Sequence, residues 1–525
     1  MSRPLHPALL LLCLAWLVPG LIGHAPWKGG DGSNFIRFLA IWQHHDWLTP
    51  GTAMAAYPPL YSWLAAATAW LSSPFLALHD GARLASGVCI VVALFFTARA
   101  AHALYGEDHR WAGALALLGS VGLLLRGHEM NVYTAQLAGV AMVLDGLCRL
   151  PKDARSGWTL ATGLSIMLLA TGLMEPLALA LLAAALPLLS PAYRSVQAKQ
   201  ALFIGLMTAL VVGLIWLAIL WFRQEPLIPA LQLQRWPLWA SPGYRTNPFY
   251  VIGLMPWYLW PTWPLAAWAL YRSRRAWREP TTLAPLLVLL VLFTVFSLSI
   301  HPGEDKLLAL MVPTALLASA GVMTLRRGAA YAFLWFSVML FGFLGIVFWV
   351  YWSAHDLAVP ARLARRLIKL GAEDIGELRL LPLLLGAMAP AVWVIYIARL
   401  KRTPLRPLLV WSAGMTFVWV LVLTLFLDVF DPRLSYTRVA DMLKNQVPPH
   451  ACVNVRGMGA QPRTLIAYHS ELDLRAIPVK DCDWLLVQRK RLQPAPPLAT
   501  HWRVHDKIAR PGDREYYFEL YARRR

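Results

Sequence analysis

Residues 201–222 read ALFIGLMTALVVGLIWLAILWF, twenty-two positions without a charge, closed by Arg223. A helix crosses a hydrocarbon core of about 30 Å in about 20 residues, so this run is long enough to span a bilayer. Comparable runs of about 17–22 residues recur along the chain. In lipid every backbone polar group must be paired within the segment, which leaves the α-helix as the form for such runs. Composition agrees: of 525 residues 58% are hydrophobic and 14% charged, with a mean hydropathy of +0.51. A soluble chain would carry about a quarter charged residues. The expected class is therefore an all-α polytopic membrane protein. The net charge of +20 is no nucleic-acid footprint, because the basic residues sit in short loops between apolar runs, as the positive-inside pattern requires.

Those loops set the topology. Placing "RLPKDARSG" (149–157), "YRSVQAK" (193–199), "YRSRRAWRE" (271–279), Arg326–Arg327 and "RLKRTPLR" (399–406) in the cytoplasm gives about thirteen spans. They fall near 7–23, 85–104, 111–126, 132–149, 158–174, 176–191, 201–222, 249–270, 282–300, 307–325, 329–352, 379–398 and 407–427. The N-terminus is then inside and the C-terminus outside. Residues 1–23 also resemble a signal peptide, but the many spans that follow favour an uncleaved first helix. One further run, 57–78, would invert every later loop if it crossed. It is read instead as a helix embedded in the outer leaflet, within a first external loop of residues 24–84. The stretch 361–374 carries four basic residues and lands outside, as an amphipathic helix on the membrane surface.

The pattern changes after residue 428. "ACVNVRG", "DWLLVQR" and "EYYFELYARR" read as strands and "QPRTLIAYHS" as a helix. The expected division is a membrane domain over 1–428 and a small external α/β domain over 429–525. Of five cysteines, Cys13, Cys89 and Cys148 fall in apolar runs and count as small hydrophobes. Cys452 and Cys482 lie in the external region, where a disulfide between them becomes available.

This topology brings ionisable residues to the outer side: Asp31, His44, His45 and Asp46; His128, Glu129 and Asn131; Glu175; Arg223 and Arg245; and "HPGEDK" (301–306). Charges at membrane depth are costly unless they pair or line a cavity, so each is a functional candidate. The bland alternative for each is a solvated turn. Carboxylates beside cations suit one chemistry well. A carboxylate takes the proton of an acceptor hydroxyl while Arg and Lys neutralise a departing phosphate. Outside the cytoplasm, lipid-linked sugar phosphates are the available donors, and a lipid tail accounts for a site in a membrane.

"GDGSNFIRFLAIWQHHDW" followed by "YPPLYSWLAA" resembles the first external loop of the GT-C glycosyltransferases. The nearest relatives by motif are the bacterial lipid A aminoarabinose transferases and the protein O-mannosyltransferases. The family's Asp, four residues before an aromatic, is matched by Asp31 and Phe35, and its "K-P-P-L-x-Y-W" element by Tyr57 to Trp63. Its "P-D-M-L-L-T" element is similar to Met130–Thr134, and "HPGEDKLLALMVP" resembles a later element with Lys306 at the basic position. The chain departs from the pattern at several points. Ala56 and Tyr57 replace an acid and a Lys, Asn131 replaces a second Asp, Met174 and Glu175 alter a "T-K-G-P" turn, and Arg245 stands for a His. These losses argue against a bound divalent metal, and none is assigned.

The resemblance implies a thirteen-span enzyme of the bacterial inner membrane. It would move a sugar from a polyprenyl phosphate to a lipid, glycan or protein acceptor, with inversion. Asp31 is the expected base, its alternative being a helix N-cap; Glu129 supports it. Lys306, Arg245 and Arg223 are the expected phosphate contacts, and Tyr57, His128, Asn131 and Glu175 other substrate contacts. Tyr61 and Trp63 read as interfacial anchors, and His44 and His45 as a surface pair. The competing function is a non-enzymatic transporter or flippase of a lipid-linked sugar. Against it, the chain shows no internal repeat, and transport requires neither the long external loop nor a C-terminal domain.

Overall fold

A computed structural model describes residues 7–49, 57–239, 247–300, 303–369, 375–476, 482–491 and 501–523. The protein is mostly helical, with one five-stranded sheet near its C-terminus. Among the described residues seven helices are long and apolar enough to cross a membrane: Leu78–Tyr105, Val196–Phe222, Pro280–Leu298, Glu304–Met323, Arg327–Asp356, Leu380–Arg399 and Arg406–Leu434. Shorter apolar helices cover Ala8–Leu17, Ser156–Thr171 and Met174–Leu189. Two expected spans are broken rather than continuous. Residues 111–126 form Arg110–Leu118 and Val121–Arg126, parted at Gly119 and Ser120. Residues 249–270 form Pro248–Tyr258 and Thr262–Arg272, because Pro261 has no amide hydrogen and disfavours helix in the residue before it. The run at 57–78 yields a helix only over Leu60–Ser72, thirteen residues. At 1.5 Å per residue that is about 20 Å, short of a hydrocarbon core.

The chain forms two compact units. The first comprises Met1–Ile22, Arg37–Phe343 and Ala389–Val420. At its centre the helix Val132–Arg149 packs against Leu78–Tyr105 and Ser156–Thr171. Small residues let the backbones approach: a Cβ on Gly139 would lie 2.9 Å from the Gly163 carbonyl oxygen, and one on Gly163 2.6 Å from that of Gly139. This is how lipid-embedded helices gain contact when water supplies no drive between them. At the other end of the same helix the fully buried Asp145 accepts from Arg99 Nε at 2.8 Å and Arg149 Nη1 at 3.2 Å.

The second unit comprises Gly23–Ile36, Leu344–Met388 and Leu421–Arg525. Its strands are β1 (Cys452–Arg456), β2 (Asp473–Arg475), β3 (Trp484–Lys490), β4 (Trp502–Ile508) and β5 (Tyr516–Arg523). Their order is β2-β1-β3-β5-β4. β1 is parallel to both β2 and β3, while β5 is antiparallel to β3 and β4. The helix Ala460–Ser470 makes the β1–β2 crossover. Leu486, Val487 and Leu520 are buried on the sheet, and Cys452 and Cys482 are joined, with Cα atoms 5.1 Å apart. Arg379 pairs with Asp356 at 2.9 Å and Asp428 at 3.0 Å. The expected amphipathic helix forms over Ala361–Lys369.

Candidate active site

In the first unit, cations and tyrosines from five separate segments meet. Arg37, on the helix Gly30–His44, places its guanidinium carbon 3.7 Å from the centre of the Tyr57 ring. Arg235 lies over the same ring at 4.6 Å. It donates to the Tyr57 hydroxyl, and at 2.8 Å to the hydroxyl of Tyr133. Tyr133 opens the helix Val132–Arg149, whose cap is the Asn131 carboxamide accepting from Tyr133 N–H at 3.0 Å. Lys306 is 4% exposed and donates to Ser299 Oγ at 2.8 Å. Arg235 and Glu175 are its electrostatic neighbours.

The backbone holds this pocket from two sides. Ile300 N–H donates to the Arg235 carbonyl at 2.8 Å, and Leu173 N–H to the Leu231 carbonyl at 3.2 Å. The short loop carrying Arg235 is thereby tied both to the Ser299–Lys306 stretch and to the start of the helix bearing Glu175. Below it, Ala230 and Leu231 pack on Leu168, Trp216 and Leu220.

The charges do not balance. Arg37, Arg235 and Lys306 share the space with the buried Glu175. Among the described residues neither Arg235 nor Lys306 forms an ion pair with a carboxylate. Burial lowers the Arg37 guanidinium well below its ordinary value, to about 10. Burial, together with repulsion from Arg37, takes Arg235 to about 9. For Arg235 the causes are burial and repulsion alone, with no carboxylate among the described residues offsetting them.

Acids gather next to this pocket. Arg126 meets Glu129 at 3.3 Å, Glu304 at 2.7 Å and Asp305 at 3.4 Å. Asn131 Nδ2 reaches Asp305 at 3.4 Å. The loop is braced from beneath: Asn131 N–H donates to Tyr61 Oη at 3.0 Å, and Ser86 Oγ donates to the Glu129 carbonyl at 2.7 Å. Arg126 occupies the centre where a cation would sit among these carboxylates.

Of the residues expected at the site, Glu129, Asn131, Glu175, Lys306 and Tyr57 fall in this connected region. Arg223 does not: it stands exposed at the end of the helix Val196–Phe222. Arg245 lies outside the described residues. His128 is a correction. It is 3% exposed, with its ring 4.5 Å from both Trp16 and Trp419, and Nε2 donates to the Trp16 carbonyl at 2.8 Å. Burial lowers this imidazole to about 4, so it is a neutral core residue and no substrate contact. Tyr61 is a second correction, because at 2% exposure it braces Asn131 rather than an interface. His44 and His45 are exposed.

Asp31 belongs to the second unit and is 1% exposed. Its Oδ2 accepts from Trp27 N–H at 2.7 Å, while Gly32 N–H donates to the Trp27 carbonyl at 2.7 Å. The carboxylate thus reaches upstream to hold the segment entering the helix. Asp431 accepts from Ala25 N–H at 3.1 Å and Trp27 Nε1 at 2.9 Å. Gln461 Nε2 donates to the Gly29 carbonyl at 2.7 Å and Ser33 Oγ at 3.1 Å. The start of the helix therefore docks onto Ala460–Ser470, with Gly32 so close that a Cβ there would lie 2.8 Å from Leu465 Cδ1.

Sequence reasoning missed Arg37 and Arg235. The available signal was an arginine in an aromatic-rich, otherwise uncharged stretch, "FIRF" and "LQRW", at positions expected near the membrane surface.

No protein-family model matches the chain, and no curated protein matches it in sequence. Among solved structures it is similar to the ArnT of Cupriavidus metallidurans bound to undecaprenyl phosphate. That match has a TM-score of 0.71 at 16% identity, covering 98% of this chain and 97% of that one. The apo form of the same ArnT gives 0.71 at 15% identity, covering 98% of each chain. The likeness spans both the helical part and the C-terminal sheet. The chain shares the fold of that ArnT.

Proposed function

We propose that this multi-pass membrane protein is a glycosyltransferase that moves a sugar from a polyprenyl phosphate to a lipid, glycan or protein acceptor. The observation that carries the reading is the pocket where Arg235 and Lys306 stand together, neither in an ion pair with a carboxylate among the described residues and with Glu175 as the acid beside them. A phosphate monoanion or dianion supplies the missing charge, and arginine forks suit its oxygens. The fold supports the same reading, since the similar ArnT is solved with undecaprenyl phosphate.

In the proposed step the acceptor oxygen attacks the anomeric carbon. The bond from that carbon to the phosphate oxygen breaks, and polyprenyl phosphate leaves with the bonding electrons. The configuration inverts. Asp31 takes the acceptor's proton, a role resting on its match to the family's aspartate. The cations stabilise charge that grows on the leaving phosphate, where preorganised donors contribute most.

The site opens to the outer face of the bacterial inner membrane, with the N-terminus cytoplasmic and the sheet domain periplasmic. The Cys452–Cys482 bond supports that side, because disulfides persist in oxidising compartments.

Incubating the purified protein with radiolabelled undecaprenyl-phosphate sugars tests the reading. Wild type is expected to release undecaprenyl phosphate, and Asp31→Asn to release it at least about a hundredfold more slowly, the scale of lost general-base catalysis, while still binding donor. Movement of intact donor across a bilayer without hydrolysis or transfer would instead establish the flippase.

A further inference from the structure

Gln136 lies one turn beyond Tyr133 on the helix Val132–Arg149, on the face that lines the cation pocket. It is fully buried, at 0% exposure, yet among the described residues neither its amide nitrogen nor its amide oxygen makes a well-aligned hydrogen bond. It stands beside the Glu175 carboxylate without a well-formed hydrogen bond between them. Buried polar groups are nearly always paired, and an unpaired amide destabilises the protein at both ends. A leucine or methionine would fill the same space with no such penalty.

We infer that Gln136, with Glu175 next to it, reads the hydroxyl groups of the donor's sugar. The inference rests on the glycosyl-transfer reading above and assigns one part of that site. An amide offers two N–H donors and two acceptor lone pairs, and a carboxylate offers acceptors only. Together they match adjacent ring hydroxyls, each of which both donates and accepts. The other parts of the donor do not fit here: Glu175 repels the phosphate, and neither side chain suits an isoprenoid tail. Lys306 is in electrostatic contact with both Glu175 and Arg235. It therefore marks the boundary where the phosphate subsite ends and the sugar subsite begins.

The test uses the full chain in detergent micelles with two classes of probe. One is sugar-free undecaprenyl phosphate. The other is whichever undecaprenyl-phosphate sugar the wild type turns over fastest from a panel of hexoses and pentoses, with its monodeoxy analogues. Gln136→Leu is expected to bind sugar-free undecaprenyl phosphate as wild type does, and the sugar-bearing donor roughly ten- to a hundredfold more weakly. It should also lose discrimination against one deoxy analogue that wild type rejects, and Gln136→Glu, which keeps an acceptor, should recover part of the affinity. Unchanged donor affinity and unchanged deoxy discrimination in Gln136→Leu overturn the assignment. Should that variant not fold, the deoxy series on wild type decides: no analogue losing about tenfold in affinity overturns it equally. A wild type that turns over no donor in the panel defeats the glycosyl-transfer reading itself, and this assignment falls with it.

Discussion

Replacing Arg235 by methionine keeps most of the aliphatic stem and removes the charge. The fall of this guanidinium from its ordinary value to about 9 corresponds to about 5 kcal/mol against its charged form at neutral pH. Hydrogen bonds to Tyr57 and Tyr133, with stacking on the Tyr57 ring, return about 3 kcal/mol. The ligand-free Arg235→Met protein should therefore be as stable as wild type, or more stable by about 2 kcal/mol. Binding moves the other way. Losing one guanidinium fork on a phosphate costs about 3 kcal/mol, or about 150-fold in affinity for undecaprenyl phosphate.

The pH dependence carries a defined sign. The folded value is depressed, so the unfolded chain holds more protons between about pH 9 and 12.5, and stability contributed by this group rises over that window. Affinity for phosphate falls over the same interval as the cation is lost, and Arg235→Met loses the Arg235 share of both trends, keeping only what Arg37 contributes near pH 10. Thermal melts and titrations with undecaprenyl phosphate, run at pH 7 and pH 10, measure all of this. A variant that melts several degrees lower yet binds as wild type would make Arg235 a structural brace and refute the reasoning.

Two further outcomes follow from the same geometry. His128→Phe keeps the aromatic packing between Trp16 and Trp419 but loses the bond to the Trp16 carbonyl; stability should drop by about 1–2 kcal/mol with turnover unchanged, and a large loss of turnover would return His128 to the site. Replacing Cys452 and Cys482 by serine opens a crosslink across 30 residues, worth about 3–4 kcal/mol by loop entropy; urea unfolding followed through the sheet domain's tryptophans reads the shift, and thiol labelling at Cys452 or Cys482 in the native protein would contradict the bond, labelling at Cys13, Cys89 or Cys148 being no objection.

Much of the architecture is legible in the residues. Apolar runs predict the long helices, and alternating patterns predict β1, β3 and β5. The pattern also predicts the helix Ala460–Ser470. β2 is three residues long and β4 reads "WRVHDKI", too short and too charged to show a buried face. The breaks at Gly119–Ser120 and Pro261 carry local signals, but a hydropathy window averages across them. The site is harder to read because its members are set by backbone turns. His128 and Glu129 are adjacent in sequence, yet one packs between two tryptophans and the other pairs with Arg126.

Tyr57 shows why the cations in particular escaped. The family resembled here carries a lysine at that position, and its loss alone points to a weakened phosphate site. In the folded protein the Tyr57 ring lies under two guanidinia, Arg37 at 3.7 Å and Arg235 at 4.6 Å. The charge absent from one position is thus supplied by two others, 20 residues before it and 178 after it in the numbering. An aromatic face stabilises a cation without neutralising it, so the ring holds both arginines in place and leaves the charge of Arg235 for a ligand. What such a pocket must keep is the sum of positive charge within reach of the phosphate. That sum can be assembled from any segments the fold brings together, so a motif read position by position records its loss and not its replacement.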